Sequence, residues 1–144
     1  MNTLPVSIPR GAPVPARAHA HDAGIDLHAA KRVHIEPGEV TVVPTGAKVA
    51  IPERHVGIIA LRSSLAYGRA LALANGIGVI DAGYRGEISV ALATWEPNPE
   101  LIDAGERIAQ LLIVPIATPA VELVDELPPS GDGRGTGGFG SSGR

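Results

Sequence analysis

Short apolar and β-branched runs, each only a few residues long, recur along the whole chain. They fall at 4–8, 33–35, 39–44, 47–51, 56–61, 78–80, 87–94, 107–114 and 121–124. Glu-Pro-Gly, Pro-Thr-Gly, Ile-Pro-Glu and Asp-Ala-Gly stand between them, all good turn formers. Short strands set this closely predict an all-β sandwich or barrel. Spacers long enough for βαβ crossovers are missing, which excludes a doubly wound sheet. One short helix is predicted over 63–67, with Ser63 as its cap and Gly68 as its stop. The stretches VGIIAL and IAQLLIVPI are apolar almost throughout, as in strands covered on both faces by a second sheet or by another subunit.

Composition narrows this picture. The 144 residues suit one domain, and without cysteine neither a disulfide framework nor a cysteine-ligated metal site can form. Apolar residues make up 44% of the chain, but its aromatics are only Tyr67, Tyr84, Trp95 and Phe139, so the core must be aliphatic. A formal net charge of −3 argues against a general nucleic-acid binder. No apolar run approaches the ~18 residues of a membrane span, and the proline-rich start lacks a secretory stretch, so a cytoplasmic protein is expected. From residue 128 the composition changes, and seven of the last fifteen residues are glycine. A folded domain over 1–127 and a flexible arm over 128–144 are expected.

Several segments carry candidate chemistry. Two apolar arms flank Asp81-Ala-Gly-Tyr84-Arg-Gly86, a pattern that predicts a β-hairpin with a long turn. Asp81 there is either a turn residue or a carboxylate placed to orient and deprotonate a water. Arg62, Ser63 and Ser64 combine a guanidinium with two hydroxyls at a helix start, which suits an anion, although helix capping explains one serine equally well. Gln110 stands in an otherwise apolar run, as a satisfied core amide or as a ligand contact. In the arm, GTGGFG has the spacing of a dinucleotide fingerprint but lacks the strand and helix that fingerprint needs. Arg134, clustered N–H groups and two serines nevertheless suit phosphate, and Phe139 could lie on a nucleobase. His19 and His21 read as solvated surface, and the HxE at 34–36 has no cysteine partners for zinc. No P-loop and no GxSxG nucleophile elbow occurs.

Taken in order, these segments resemble the five motifs of the trimeric dUTP pyrophosphatase (dUTPase) family. AGIDL at 23–27 is similar to the first and RSSLA at 62–66 to the second. NGIGVIDAGYRGEI at 75–88 resembles the third, GERIAQL at 105–111 the fourth and RGTGGFGSSG at 134–143 the fifth. Ser64 stands where many relatives have glycine and Ser142 where threonine is frequent; neither change removes a phosphate donor.

The resemblance implies a distorted β jelly roll assembled as a homotrimer, with active sites shared between subunits. It implies Mg²⁺-assisted hydrolysis of dUTP to dUMP and pyrophosphate by water attack on the α-phosphorus, keeping uracil out of DNA and supplying dUMP for dTMP synthesis. Asp81 is then the general base. Asn75, Gly78, Val79, Ile80 and Ser89 cradle uracil, and Tyr84 packs under deoxyribose. Arg62, Ser63 and Ser64 hold the α- and β-phosphates and Gln110 a phosphate or a metal-bound water, while Arg134, Ser141 and Ser142 clamp the γ end. Phe139, with Gly140, caps the base. No direct protein ligand to Mg²⁺ is expected, and Asp26 and Gln110 stand in a supporting position near the ion or the interface. Rival readings are the dCTP deaminase branch of the same fold and a nonenzymatic trimer that uses the nucleotide site for binding alone.

Overall fold

The computed structural model describes residues 3–133 and 135–137. Its strands are β1 (Val6–Ser7), β2 (Ile25–His28), β3 (Val33–Ile35), β4 (Thr41–Pro44), β5 (Lys48–Val49) and β6 (His55–Leu61). The helix α1 (Ser63–Arg69) follows, then β7 (Leu71–Leu73), β8 (Gly78–Ile80), β9 (Ser89–Thr94), β10 (Glu100–Ile102) and β11 (Arg107–Pro115). A four-stranded sheet, β2-β11-β6-β8, and a three-stranded sheet, β4-β9-β7, are joined by the two-stranded ribbons β1-β5 and β10-β3. The strand pairings are antiparallel, and the sheets form no closed barrel. This is the all-β, jelly-roll-like arrangement that the spacing and the resemblance predict.

The core lies between the sheets and is aliphatic. Leu27, Ile59, Ile108 and Leu111 from the larger sheet meet Val43, Leu71, Val90 and Leu92 from the smaller one. No aromatic ring is buried among the described residues: Tyr67 is 92% exposed, Trp95 67% and Tyr84 44%. The three described aromatic side chains are left to the surface and the clefts.

The structure corrects three local expectations. The helix runs to Arg69 and passes through Gly68; it ends at Ala70, which adopts the left-handed conformation (φ 48°) and returns its N–H to the Leu65 carbonyl. Its N-cap is Arg62 in an extended conformation with no side-chain cap, so Ser63 is the first helical residue and not the cap. Residues 121–124 form no strand: Val121 is 99% exposed and Leu123 98%, because no strand edge of the same chain lies beside them.

A further correction bears on the site. β8 pairs with β6 and β9 pairs with β4 and β7, so the two arms around Asp81 are not partners in a hairpin. Residues 81–88 instead form a corner that carries the chain from one sheet to the other. After the corner the chain is captured by the segment before β5. The Ile88 N–H donates to the Ala47 carbonyl (2.8 Å), and the Ile88 carbonyl accepts both the N–H (3.2 Å) and the hydroxyl (2.6 Å) of Thr45. These bonds satisfy backbone groups that a hairpin would have paired locally.

Candidate active site

Because β8 and β9 diverge, a cleft opens between them. On one side Ile59, Leu73, Asn75, Gly78, Val79, Ile80, Ser89, Val90 and Ala91 line a cavity of about 150 Å³. On the other, Val79, Ile80, Asp81, Tyr84, Glu87, Ile88 and Ser89 line one of about 350 Å³. The two share Val79, Ile80 and Ser89, and the larger falls in the size range of small-molecule sites. Asn75, Gly78, Val79, Ile80, Asp81, Tyr84 and Ser89 are thereby brought together around one split between the sheets. Gly78 is required at its position: a Cβ there would stand 2.8 Å from the Ile59 Cβ.

A second group forms on the outer face of the larger sheet. Register places Asp26, Gln110 and Ala60 side by side across β2, β11 and β6. Asp26 is only 5% exposed and is the hub of the group. Its Oδ2 accepts from Arg107 Nη1 at 3.0 Å, and its Oδ1 lies 3.4 Å from both Arg62 Nε and Gln110 Nε2. Its N–H donates to the Ala16 carbonyl at 2.9 Å. A buried carboxylate is stable only when paired in this way. The Gln110 amide presses on Gly24, where a Cβ would meet its Cδ and Oε1 at 2.8 Å. Ser63 and Ser64 stand exposed on the first turn of α1, directly after Arg62. At the other end of that helix Arg69 is clasped by Glu100 (2.8 Å), by Glu106 (2.6 Å) and by the Leu101 carbonyl, which fixes the helix against β10 and the turn before β11.

Arg107 belongs to this group although the sequence reading gave it no role; the only cue was its place in GERIAQL. His28 lies two residues beyond Asp26 on the same strand face. Its Nδ1 is buried without a hydrogen-bond partner. Burial lowers its pKa, with Arg107 and Arg62 acting in the same direction and Asp26 opposing them. Arg134, Phe139, Gly140, Ser141 and Ser142 lie outside the described residues.

The described residues contain no cluster of three or more His, Asp or Glu able to hold a metal ion. Asp26, the one buried carboxylate among them, is already engaged by two guanidinium groups. What the second group offers is cationic and amide donors, a set suited to phosphate oxygens. The larger cavity holds Asp81 but none of Arg62, Ser63, Ser64 or Gln110. A cavity of about 360 Å³ near Thr3, Arg17, Ile25 and His55 touches the five motifs only at Ile25.

A sequence model of the dUTPase family matches residues 10–143. The chain belongs to the dUTPase family. Curated relatives named deoxyuridine 5'-triphosphate nucleotidohydrolase include one from Mycolicibacterium vanbaalenii, 46% identical over 142 residues, covering 96% of this chain and 92% of the relative. Another, from Mycobacterium avium, is 48% identical over 142 residues with the same coverage. Among solved structures, the dUTPase of Staphylococcus bacteriophage 80alpha with dUpNHpp superposes with a TM-score of 0.86 at 35% identity, all of both chains being covered. A mutant dUTPase from phage phi11 of S. aureus, described for its coordination of a structural Mg(II) ion, gives a TM-score of 0.78 at 32% identity, covering 87% of this chain and 98% of that one. No helix among the described residues is long and apolar enough to cross a membrane.

Proposed function

We propose that this dUTPase-family chain hydrolyses dUTP to dUMP and pyrophosphate as a cytoplasmic homotrimer, with Asp81 as general base. The observation that carries the reading is the split between β8, which among the described residues pairs only with β6, and the start of β9 at Ser89 and Val90, beyond its pairing with β7, with Asp81 and Tyr84 at the mouth of the cleft between them. Unpaired strand edges present N–H and C=O groups in the fixed alternation that a pyrimidine edge requires. Val79, Ile80 and Ser89 line both halves of the cleft and supply those groups, with Asn75 and Gly78 on its inner side. A close-walled cleft excludes the thymine methyl by contact, and the Tyr84 ring does the same to a 2′-hydroxyl.

Asp81 is exposed at the start of the corner, where its carboxylate can hold a water and take its proton as the water attacks the α-phosphorus. Arg62, Ser63 and Ser64 hold the α- and β-phosphates. Gln110 donates through Nε2 to Asp26, which leaves Oε1 to accept from a bound water. Mg²⁺ carried with the triphosphate would offset the charge that repels the nucleophile; with Asp26 engaged by Arg62 and Arg107, Gln110 would hold it only indirectly, through bound water.

The trimer is supported by the outer sheet face. Val79, Ile58 and Leu112 form one cross-strand row and Val56 and Val114 the next, beside the row of Asp26, Gln110 and Ala60. Val79 is 58% exposed, so in one chain this apolar face has no cover. Covering it with another subunit brings a second set of motifs to the same place, which resolves the separation of Asp81 from the Arg62 group within one cavity. The arm from 128 onward, with Arg134, Ser141 and Ser142 on the γ-phosphate and Phe139 and Gly140 over the base, closes a neighbour's site.

One assay decides: dUTP, dCTP, dTTP and UTP are each offered with Mg²⁺, and pyrophosphate and base identity are followed. Pyrophosphate from dUTP alone is expected. In ¹⁸O water the label is expected in dUMP, since attack falls on the α-phosphorus. Uracil nucleotide from dCTP would favour a deaminase, and no turnover would favour a binding module.

A further inference from the structure

The corner 81–88 is braced in part by Gly86 and Glu87, to which the proposed reaction gives no task. The Tyr84 N–H donates to the Asp81 carbonyl (3.0 Å), closing a turn, and the Tyr84 hydroxyl donates to the Glu87 carbonyl (2.9 Å). The ring therefore doubles back over Gly86. A Cβ at that position would stand 2.5 Å from Tyr84 Cζ and 2.9 Å from Cε2, and closer still to the hydroxyl oxygen. The clash falls on the hydroxyl end of the ring, so an added atom must push that end off the Glu87 carbonyl. Glu87 in turn binds outward: its Oε1 accepts the Gly46 N–H at 2.7 Å. Gly46 has φ +70°, and its Cβ position lies 3.1 Å from Pro9 Cδ, so the donor is itself firmly placed. The line of contact runs from Gly46 through Glu87 to the Tyr84 wall of the 350 Å³ cavity.

We infer that Gly86 and Glu87 are specificity-determining positioning residues: they set where the Tyr84 ring stands and how much room remains beside the sugar of the bound nucleotide. Neither side chain needs to touch the nucleotide. Gly86 acts by having no side chain, which leaves the ring room to seat on the Glu87 carbonyl as a fixed wall of the cavity. Glu87 acts by fixing the carbonyl that holds the Tyr84 hydroxyl. The inference rests on the reading of this cavity as the nucleoside site.

The test compares dUTP and UTP hydrolysis by the full-length protein and by Gly86→Ala, Glu87→Ala and Glu87→Gln, each also combined with Tyr84→Ala. Gly86→Ala is expected to raise KM for dUTP about tenfold, to lower kcat by less, and to reduce the preference for dUTP over UTP about tenfold. Glu87→Ala shifts both in the same direction, and Glu87→Gln, which keeps the acceptor for Gly46, restores them. In the Tyr84→Ala background Gly86→Ala adds nothing, because the ring through which it acts is gone. Losses that add in full in that background would overturn the inference, as would a lowered melting temperature with the dUTP preference unchanged. Calorimetric binding of dUDP and UDP reads the same preference without turnover. A wild-type chain that binds neither overturns the nucleoside site and the inference together. A wild-type preference that Gly86→Ala leaves intact overturns the inference alone.

Discussion

Asp26 and Arg62 meet across two strands and the start of a helix, Oδ1 to Nε at 3.4 Å, while the other oxygen of the same carboxylate holds Arg107 at 3.0 Å. One buried acid thus fixes two guanidinium groups and the Gln110 amide on a single face. Fixed donors need no rearrangement when phosphate arrives, which is where electrostatic preorganisation has its effect.

Asp26→Asn keeps the shape and removes the charge. It is expected to cost about 2–3 kcal/mol in urea unfolding at fixed protein concentration, below the range for a fully buried pair because both arginines keep some contact with water. KM for dUTP should rise as Arg62 and Gln110 lose their anchor. Unchanged stability and KM would remove Asp26 from this role.

His28 gives a pH signature. Its folded-state pKa lies below the ordinary imidazole value of 6.5 because burial disfavours the cation. Below that value the unfolded chain takes up a proton that the native chain does not, so stability rises with pH there. Its contribution is fully present above pH 6.5 and is lost as pH falls toward the folded-state pKa. Unfolding measured between about pH 5 and 8 should show this slope, and His28→Gln should flatten it.

Much of this architecture was legible in the residues, and what was not has physical causes. The run at 78–80 matches β8 residue for residue, and the aliphatic core of the described residues followed from the inventory alone. The corner was misread as a hairpin because two strand-forming runs around a turn look alike whether or not they pair. The decision is made by Thr45 and Ala47, some forty residues earlier, which take the bonds of Ile88. β2 went unrecognised because its four residues include Asp26, whose burial depends on Arg107 and Gln110, 81 and 84 residues away. The short β7 and β10, LAL and ELI, carry too little pattern to stand out.

Removing residues 133–144 tests the arm. The truncated chain is expected to sediment as the proposed trimer and to keep its thermal stability, since the last strand among the described residues ends at Pro115. It should lose about a hundredfold or more in kcat/KM for dUTP, because water is no longer excluded from the cleft. Full activity after truncation would make the arm irrelevant to catalysis.

The central claim is that Asp81 activates water in the cleft between the two sheets. Asp81→Asn keeps the size and most hydrogen bonds of the side chain and removes the base. Single-turnover hydrolysis of dUTP, read beside calorimetric binding of a non-hydrolysable dUTP analogue, separates chemistry from affinity. The account predicts binding within about threefold of wild type and a hydrolysis rate reduced about a thousandfold. A rate near that of wild type would contradict it.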